Sequence, residues 1–517
     1  MPLSLDALRF TPSATGTALG AFAGLAAYLV ATAVYRVFFG PLAHVPGPWY
    51  AKATDAWLIP HTICMRQVRA IDELIKRYGS VVCIGPNKVI FIDPATNKIV
   101  YGGRFPKDKY YLSLRMSGKD HAMTTLDPTQ HVLRRRAFAP HYSLANLASF
   151  QNEMHDYTLQ LVNRLSEDGG STAFDCLTMF RHLLVDVISL TVFDMKADAV
   201  GKWAREEPDY LSTAINDWPK RSLMKDAMPP WLWTIVCHIP HARLHQFVDS
   251  DRFINKFVAD RVQTVQEQIK GGHLEEQERN TLVVRMLQYK MPTGHTLAEG
   301  DIMAELQAHT MAGTDTTATT LSYLCYALSK HPLIVRTLQA ELDDAMDDAR
   351  RIPDMSVLHA LPYLNAVISE GLRLYSAAPA PLPRVVPVRC DELEIHGVKI
   401  PTGTVVATQA WTLHKQEHVF PNPDAFEPER WLHESDDMKS NFIPFGMGPR
   451  VCGGQTLAMS MLRMTLAAVF RNFDVVAPMH TNDKSMDICE AFVIFPAGLK
   501  ADLMFMPRAQ QDVSSRA

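Results

Sequence analysis

One cysteine carries the clearest chemical signal. The stretch Phe445-Gly446-Met447-Gly448-Pro449-Arg450-Val451-Cys452-Gly453-Gly454 sets Cys452 among glycines, which let a backbone fold tightly around a sulfur. An apolar run from Leu457 to Phe470 follows and reads as a helix. The thiol therefore lies near a helix start, where unpaired N–H groups and the dipole favour a thiolate. A thiolate held in this way is a good axial ligand for haem iron. Arg450 precedes the sulfur closely enough to pair with a haem propionate. The alternative is a buried free cysteine in a glycine-rich turn.

A second constellation, Ala312-Gly313-Thr314-Asp315-Thr316-Thr317, lies in the middle of the longest helical pattern, Leu297 to Leu328. Glycine inside a helix costs about 1 kcal/mol relative to alanine, and a helix that accepts such a cost often carries a site. The missing side chain at Gly313 opens a groove for a diatomic ligand. Thr316 is then placed to hydrogen-bond bound oxygen, and Asp315 to feed protons from solvent. The alternative is threonine back-bonding in a kinked helix. A third pair, Glu370 and Arg373, shares one helical face and can form an ion pair. Most such pairs are surface features worth little.

The loop fits F-x-x-G-x-R-x-C-x-G at every fixed position and resembles the haem-binding loop of the cytochrome P-450 family. The resemblance runs from the proline hinge to Pro507, with the motifs in the family's order. It implies a mainly α fold with small β-sheets (α+β), built as one haem domain after a membrane anchor. It implies haem b with Cys452 as the iron ligand, and Phe445, Arg450 and Gly313 in the cofactor site. Asp315 and Thr316 correspond to the acid–alcohol pair that delivers protons for splitting O₂. Arg430, in Pro428-Glu429-Arg430-Trp431, would complete a buried triad with Glu370 and Arg373 that holds the haem loop. His131 and Arg135, four apart on one helical face, and Arg384 resemble the family's propionate contacts. An exposed basic face is the alternative for the first two.

Ala312, Ala377, Ala378 and Ala380 fall where the family lines the space above the iron, with Phe492 and the stretch from Tyr110 to Thr125 completing the walls. Small residues there suggest a bulky apolar substrate, such as a polycyclic one. The resemblance further implies a monooxygenase of fungal secondary metabolism acting on a terpenoid or polyketide intermediate. Electrons would come from NADPH through a separate cytochrome reductase, since no glycine-rich dinucleotide fingerprint follows the haem region. Two other classes stay open: a haem–thiolate isomerase or dehydratase needing no external electrons, and a non-enzymatic haem carrier or sensor.

These groups need a large scaffold, and the chain provides one. Its 517 residues are 47% hydrophobic and 21% charged, as in an ordinary globular protein with a large core. Net charge is −4 without a long basic run, which gives no sign of nucleic-acid binding. Cys64, Cys83, Cys176, Cys237, Cys325, Cys390, Cys452 and Cys489 are scattered without a C-x-x-C pair. That argues against a disulfide framework and a zinc site, and fits a reducing compartment.

Gly16 to Tyr35 carries no charge, and at about 1.5 Å per residue it just crosses a hydrocarbon core of about 30 Å. An uncleaved anchor is the expectation over a signal peptide, because the run is long and the segment around Asp6 and Arg9 is not clearly basic. The family resemblance places the anchor in the endoplasmic reticulum with the rest facing the cytosol. The expected organisation is an N-terminal segment 1–15, an anchor helix 16–36, a proline-rich hinge 37–49, a haem domain 50–507 and a flexible tail 508–517. Within the domain, helices are expected over 71–78, 138–170, 174–193, 252–269, 334–351 and 361–375. A mobile helix-loop region is expected over 208–240. Short strands are expected at 81–84, 88–92, 393–395, 398–400, 404–408, 491–495 and 501–505.

Overall fold

Among the described residues two apolar helices are long enough to cross a membrane, and burial separates them. None of Thr17–Phe38 is buried, whereas 83% of Cys176–Phe193 is. The second is therefore a core helix. A computed structural model describes residues 14–274, 280–291, 294, 296–388 and 393–508. The expected N-terminal segment up to residue 13 and the expected tail from residue 509 lie outside the described residues.

Contacts group the chain into two units, residues 1–93 with 385–407, and 94–384 with 408–517. In the first, α1 (Ala14–Phe38) ends before Gly40, where a Cβ would stand 2.7 Å from the Arg36 carbonyl oxygen. Arg36 then donates to the carbonyl of Ala53 at 3.0 Å. The proline hinge is tied down rather than free. Cys83 N–H donates to the Pro46 carbonyl at 2.7 Å, and Gly47, at φ +150°, leaves no room for a Cβ against the Cys83 oxygen at 2.6 Å. Helix α2 (Gln67–Tyr78) stops at Gly79, φ +97°. Strand Val81–Gly85 pairs antiparallel with Lys88–Phe91, which pairs parallel with Val405–Ala407. Leu393–Ile395 and Val398–Ile400 form a hairpin.

The second unit is mainly helical. Its chief helices are α3 (Pro128–Phe138), α4 (Gln151–Asp168), α5 (Cys176–Phe193), α6 (Tyr210–Ala227), α7 (Ser250–Gly271), α8 (Glu299–Ser329), α9 (Pro332–Ala345), α10 (Pro362–Leu374) and α11 (Gln455–Asn472). Helices α5 and α8 pack along each other more extensively than any other helix pair among the described residues.

Several boundaries differ from the sequence expectation, for tertiary reasons. Ala173–Asp175 is a strand rather than the start of α5, because it pairs with Asp502–Pro507. Asp175 then caps α5, its carboxylate accepting from Leu177 N–H at 3.2 Å. The region 208–240 is mostly helix. Helix α6 runs through Pro219, capped at its start by Asp209, and pinned by Trp218 Nε1 donating to Asp251 at 2.8 Å. The strand expected over 491–495 is broken at Phe492, the tip of a hairpin. Ile488–Ala491 folds back on Val493–Pro496, and Asp502–Pro507 joins Phe473–Val476.

Candidate active site

The cysteine loop is shaped by its glycines. Gly446 and Gly448 have φ of +72° and +68°, and a Cβ on Gly448 would fall 2.6 Å from the Tyr101 carbonyl oxygen. Val451 N–H returns to Gly448 O at 3.0 Å, and Cys452 N–H bonds to the carbonyl of half-buried Phe445 at 2.9 Å. A Cβ on Gly453 would meet the Phe138 ring at 2.7 Å, so α3 lies against the loop. Helix α11 starts just beyond the sulfur, and the N–H groups of Gly454 and Gln455 bond toward it. Burial nevertheless outweighs them and Arg135, and pushes the Cys452 thiol up. The side chain is at once accessible and surrounded by protein. A metal there would remove the thiol proton outright. Among the described residues no three His, Cys, Asp or Glu side chains converge on a metal site. Porphyrin iron is a metal that brings its other ligands with it.

Basic groups gather beside the loop. Arg450 donates to Thr125 O at 2.6 Å and Leu126 O at 3.0 Å. Arg135 donates to Val451 O at 2.6 Å, the carbonyl just before the cysteine. Arg384 reaches Pro383 O at 2.9 Å and Tyr111 Oη at 3.3 Å, its guanidinium 5.0 Å from the Tyr101 ring centre. Buried Lys107 donates to Met123 O at 2.6 Å and sits 3.9 Å over the Tyr111 ring. Burial, then Arg450, Lys107, Arg135 and Arg384, push His131 down to about 3. Burial, Arg384 and Arg450 likewise lower the Lys107 ammonium. Each of these hydrogen bonds ends on a carbonyl or phenol oxygen. A group of cations so placed would be relieved by an anion, and the two carboxylates of a haem fit that need. Sequence reasoning missed Lys107. It is drawn in by an isolated antiparallel bridge to Arg384, and no local pattern announces that pairing.

Helix α8 carries the second constellation. Thr316 Oγ1 donates to Ala312 O at 2.8 Å, and Thr310, Thr314, Thr320 and Ser322 make the same back-bond. The direction a Cβ would take at Gly313 is filled by Ile188 Cδ1 at 2.4 Å. The missing side chain thus admits α5, which corrects the expectation that it opens a groove along that direction. Ala312, by contrast, is exposed, although Met311 before it is buried. Asp315 Oδ1 accepts from Arg181 Nε at 2.7 Å. Arg181 comes from α5. Burial and Arg181 lower the Lys220 ammonium on α6, so the middle of α8 borders a charged cluster.

Below the loop, Glu370 is fully buried and saturated. Arg373 donates to it twice, at 2.8 and 2.7 Å. Arg430 Nε follows at 3.2 Å, Trp431 Nε1 at 2.9 Å and Glu427 N–H at 2.9 Å. Arg373 spends its other donors on the carbonyls of His414, Pro423 and Ala425, at 2.9, 2.6 and 3.0 Å. The three charges named from sequence are therefore joined, with Trp431 and His414 as additional members.

The alanines named for the pocket, Ala377, Ala378 and Ala380, are all half-buried. Ala377 O accepts from Ile494 N–H at 2.9 Å, which brings the hairpin tip at Phe492 beside it. Phe492 has φ +70°, a conformation a bulky residue rarely adopts and one associated with sites. One further cluster lacks a sequence signal. Tyr142 Oη and His309 Nδ1 are 2.8 Å apart. His309 Nε2 faces Glu305 Oε2 at 3.9 Å, and both of these atoms are buried without a hydrogen-bond partner. Burial pushes Glu305 up to about 7 despite Arg134 at 3.5 Å.

The family model for cytochrome P-450 matches residues 57–502. Among curated proteins, cytochrome P-450 monooxygenase cypX of Dothistroma septosporum is 28% identical, with 96% of each chain covered. The monooxygenase orf2 of Aspergillus niger is 30% identical over 86% of this chain and 88% of its own. Tryprostatin B 6-hydroxylase of Aspergillus fumigatus is 28% identical over 88% and 79%. The chain belongs to the cytochrome P-450 family, in its fungal company, and is an oxidoreductase of the haem–thiolate monooxygenase class.

Proposed function

We propose that this enzyme oxidises a bulky apolar small molecule, a polycyclic terpenoid or polyketide intermediate of fungal secondary metabolism, with electrons from NADPH through a separate cytochrome reductase. Haem held at Cys452 would supply the activation of O₂ by which one oxygen atom enters the substrate and the other leaves as water. The protein's own residues seat the cofactor, exclude water and deliver protons. Cys452 would be the iron ligand, and Arg450, His131, Arg135, Arg384 and Lys107 would hold the propionates. Asp315 keeps one oxygen on Arg181 and leaves Oδ2 to carry a proton inward. Thr316 turns its hydroxyl from Ala312 O toward the oxygen to be protonated. Glu370, Arg373 and Arg430 support the loop from below.

The observation that carries this reading is the glycine-turned Cys452 loop, its Val451 carbonyl held by Arg135, with a concentration of buried cations beside it. The small residues Ala312, Ala377, Ala378 and Ala380, together with the strained tip at Phe492, support a roomy apolar pocket. A relative whose name is that of a hydroxylase supports insertion of oxygen. The Thr17–Phe38 helix, none of it buried, supports a single-pass anchor, and the family's habit makes the endoplasmic reticulum the membrane proposed for it.

The test is to delete the gene in its host, identify the intermediate that accumulates, and feed it to purified enzyme with reductase, NADPH and isotopically labelled O₂. One labelled atom in the product is expected. Conversion without NADPH, or a product free of label, would instead indicate an isomerase or dehydratase.

A further inference from the structure

We propose that His414 is a positioning residue that fixes the seat of the Cys452 loop by tying it to the end of α10. This rests on the reading of Cys452 as the haem ligand. His414 is fully buried. The backbone N–H of Ile443 donates to its Nε2 at 2.9 Å. An N–H donor needs a bare lone pair, so the ring proton sits on Nδ1, which faces the Arg373 carbonyl at 3.1 Å. One ring nitrogen accepts from the loop side and the other donates to the helix side. Burial, then the charge of Arg373, push the imidazole down to about 3. It stays neutral at any working pH, and the two roles do not exchange.

Both partners matter. The Arg373 carbonyl belongs to the last turn of α10, where carbonyls lack a partner within the helix. The same Arg373 closes the circuit from its other end, Nη1 donating to the His414 carbonyl at 2.9 Å. Ile443 opens the cysteine loop. Gly446 N–H returns to Ile443 O at 3.0 Å, and Cys452 N–H bonds to Phe445 O at 2.9 Å. Pro444 has no N–H to offer. The register of Ile443 is therefore passed directly to the residue that receives the cysteine amide. Phe442 lies 5.3 Å from the imidazole and 4.5 Å from Trp431, which itself donates to Glu370. His414 thus joins the Glu370–Arg373 support to the sulfur's loop through a rigid ring. A histidine that merely filled the core would be replaceable by another ring of its size.

The experiment compares His414→Phe, His414→Gln and His414→Asn as full-length haem-loaded proteins. Two properties are measured: haem transfer to an excess of apo-globin, and the Soret band of the reduced, carbonyl-bound form. Glutamine reaches as far as Nε2 and keeps the Ile443 bond. Asparagine reaches only as far as Nδ1 and loses it. Losing a buried bond of this kind should speed haem release about tenfold in the Asn and Phe variants and shift the Soret band. The Gln variant should stay near wild type. Asn and Phe proteins that release haem at the wild-type rate would overturn the proposal. If the Phe variant does not fold, the Gln and Asn pair decides, and a Gln variant no better than Asn also overturns it. A Cys452→Ser control that keeps the native Soret band would fault the ligand reading instead, whatever His414 does.

Discussion

Arg181 on α5 and Asp315 on α8 meet at 2.7 Å, Nε to Oδ1, with the two side chains 14% and 21% exposed. The pair links the two most extensively packed helices at the residue proposed to move protons. It leaves Oδ2 of the carboxylate for that task. Asp315→Asn keeps the shape and removes the acid. Turnover should fall about 10²-fold, a common size for loss of a general acid, while KM changes little. Steady-state kinetics with the identified substrate would check this. An unchanged kcat would remove Asp315 from the mechanism.

Arg373 has every N–H matched, and Glu370 accepts from four different residues. Removing one partner of a buried network typically costs about 3–5 kcal/mol. Arg373→Ala should therefore fail to hold haem. The haem-to-protein ratio after purification is the readout, and a stable, fully loaded variant would refute the assignment.

Phe492 sits at φ +70°. Glycine relieves that conformation, so Phe492→Gly should not lower the thermal midpoint and should raise stability by about 1 kcal/mol. Binding of large apolar ligands, followed by their spectral shift, should weaken. A variant that loses stability without losing ligand affinity would mean the ring serves the core.

Glu305 is 1% exposed, and burial raises its carboxyl to about 7 in the folded protein. The unfolded carboxyl ionises near its ordinary value of 4.5. Between those limits the folded state holds the extra proton, so the stability the neutral carboxyl confers is present below about 4.5 and lost as pH rises through about 7. Glu305→Gln should gain stability relative to wild type as pH is raised across that window. Urea midpoints at several pH values would show it. A gap independent of pH would contradict the burial argument.

The parts legible in the sequence are those whose residues are neighbours along the chain. The Cys452 loop, the Ala312–Thr317 run and the Glu370–Arg373 pair were each readable from spacing, because a tight turn and a helix face fix side chains within a few residues. The anchor-length helix and most of the long helices were legible from periodicity for the same reason.

The tertiary structure decided which distant residues join them. Lys107 meets Arg384 across a β-bridge, Arg181 reaches Asp315 from another helix, and His414 bridges Arg373 to Ile443. Ala173–Asp175 became a strand only because Asp502–Pro507 lay alongside it. Gly313, read as leaving room for a ligand, turned out to leave room for Ile188. Local chemistry is written in local order. Pairings across hundreds of residues depend on how helices and strands close on one another, and periodicity carries no record of that.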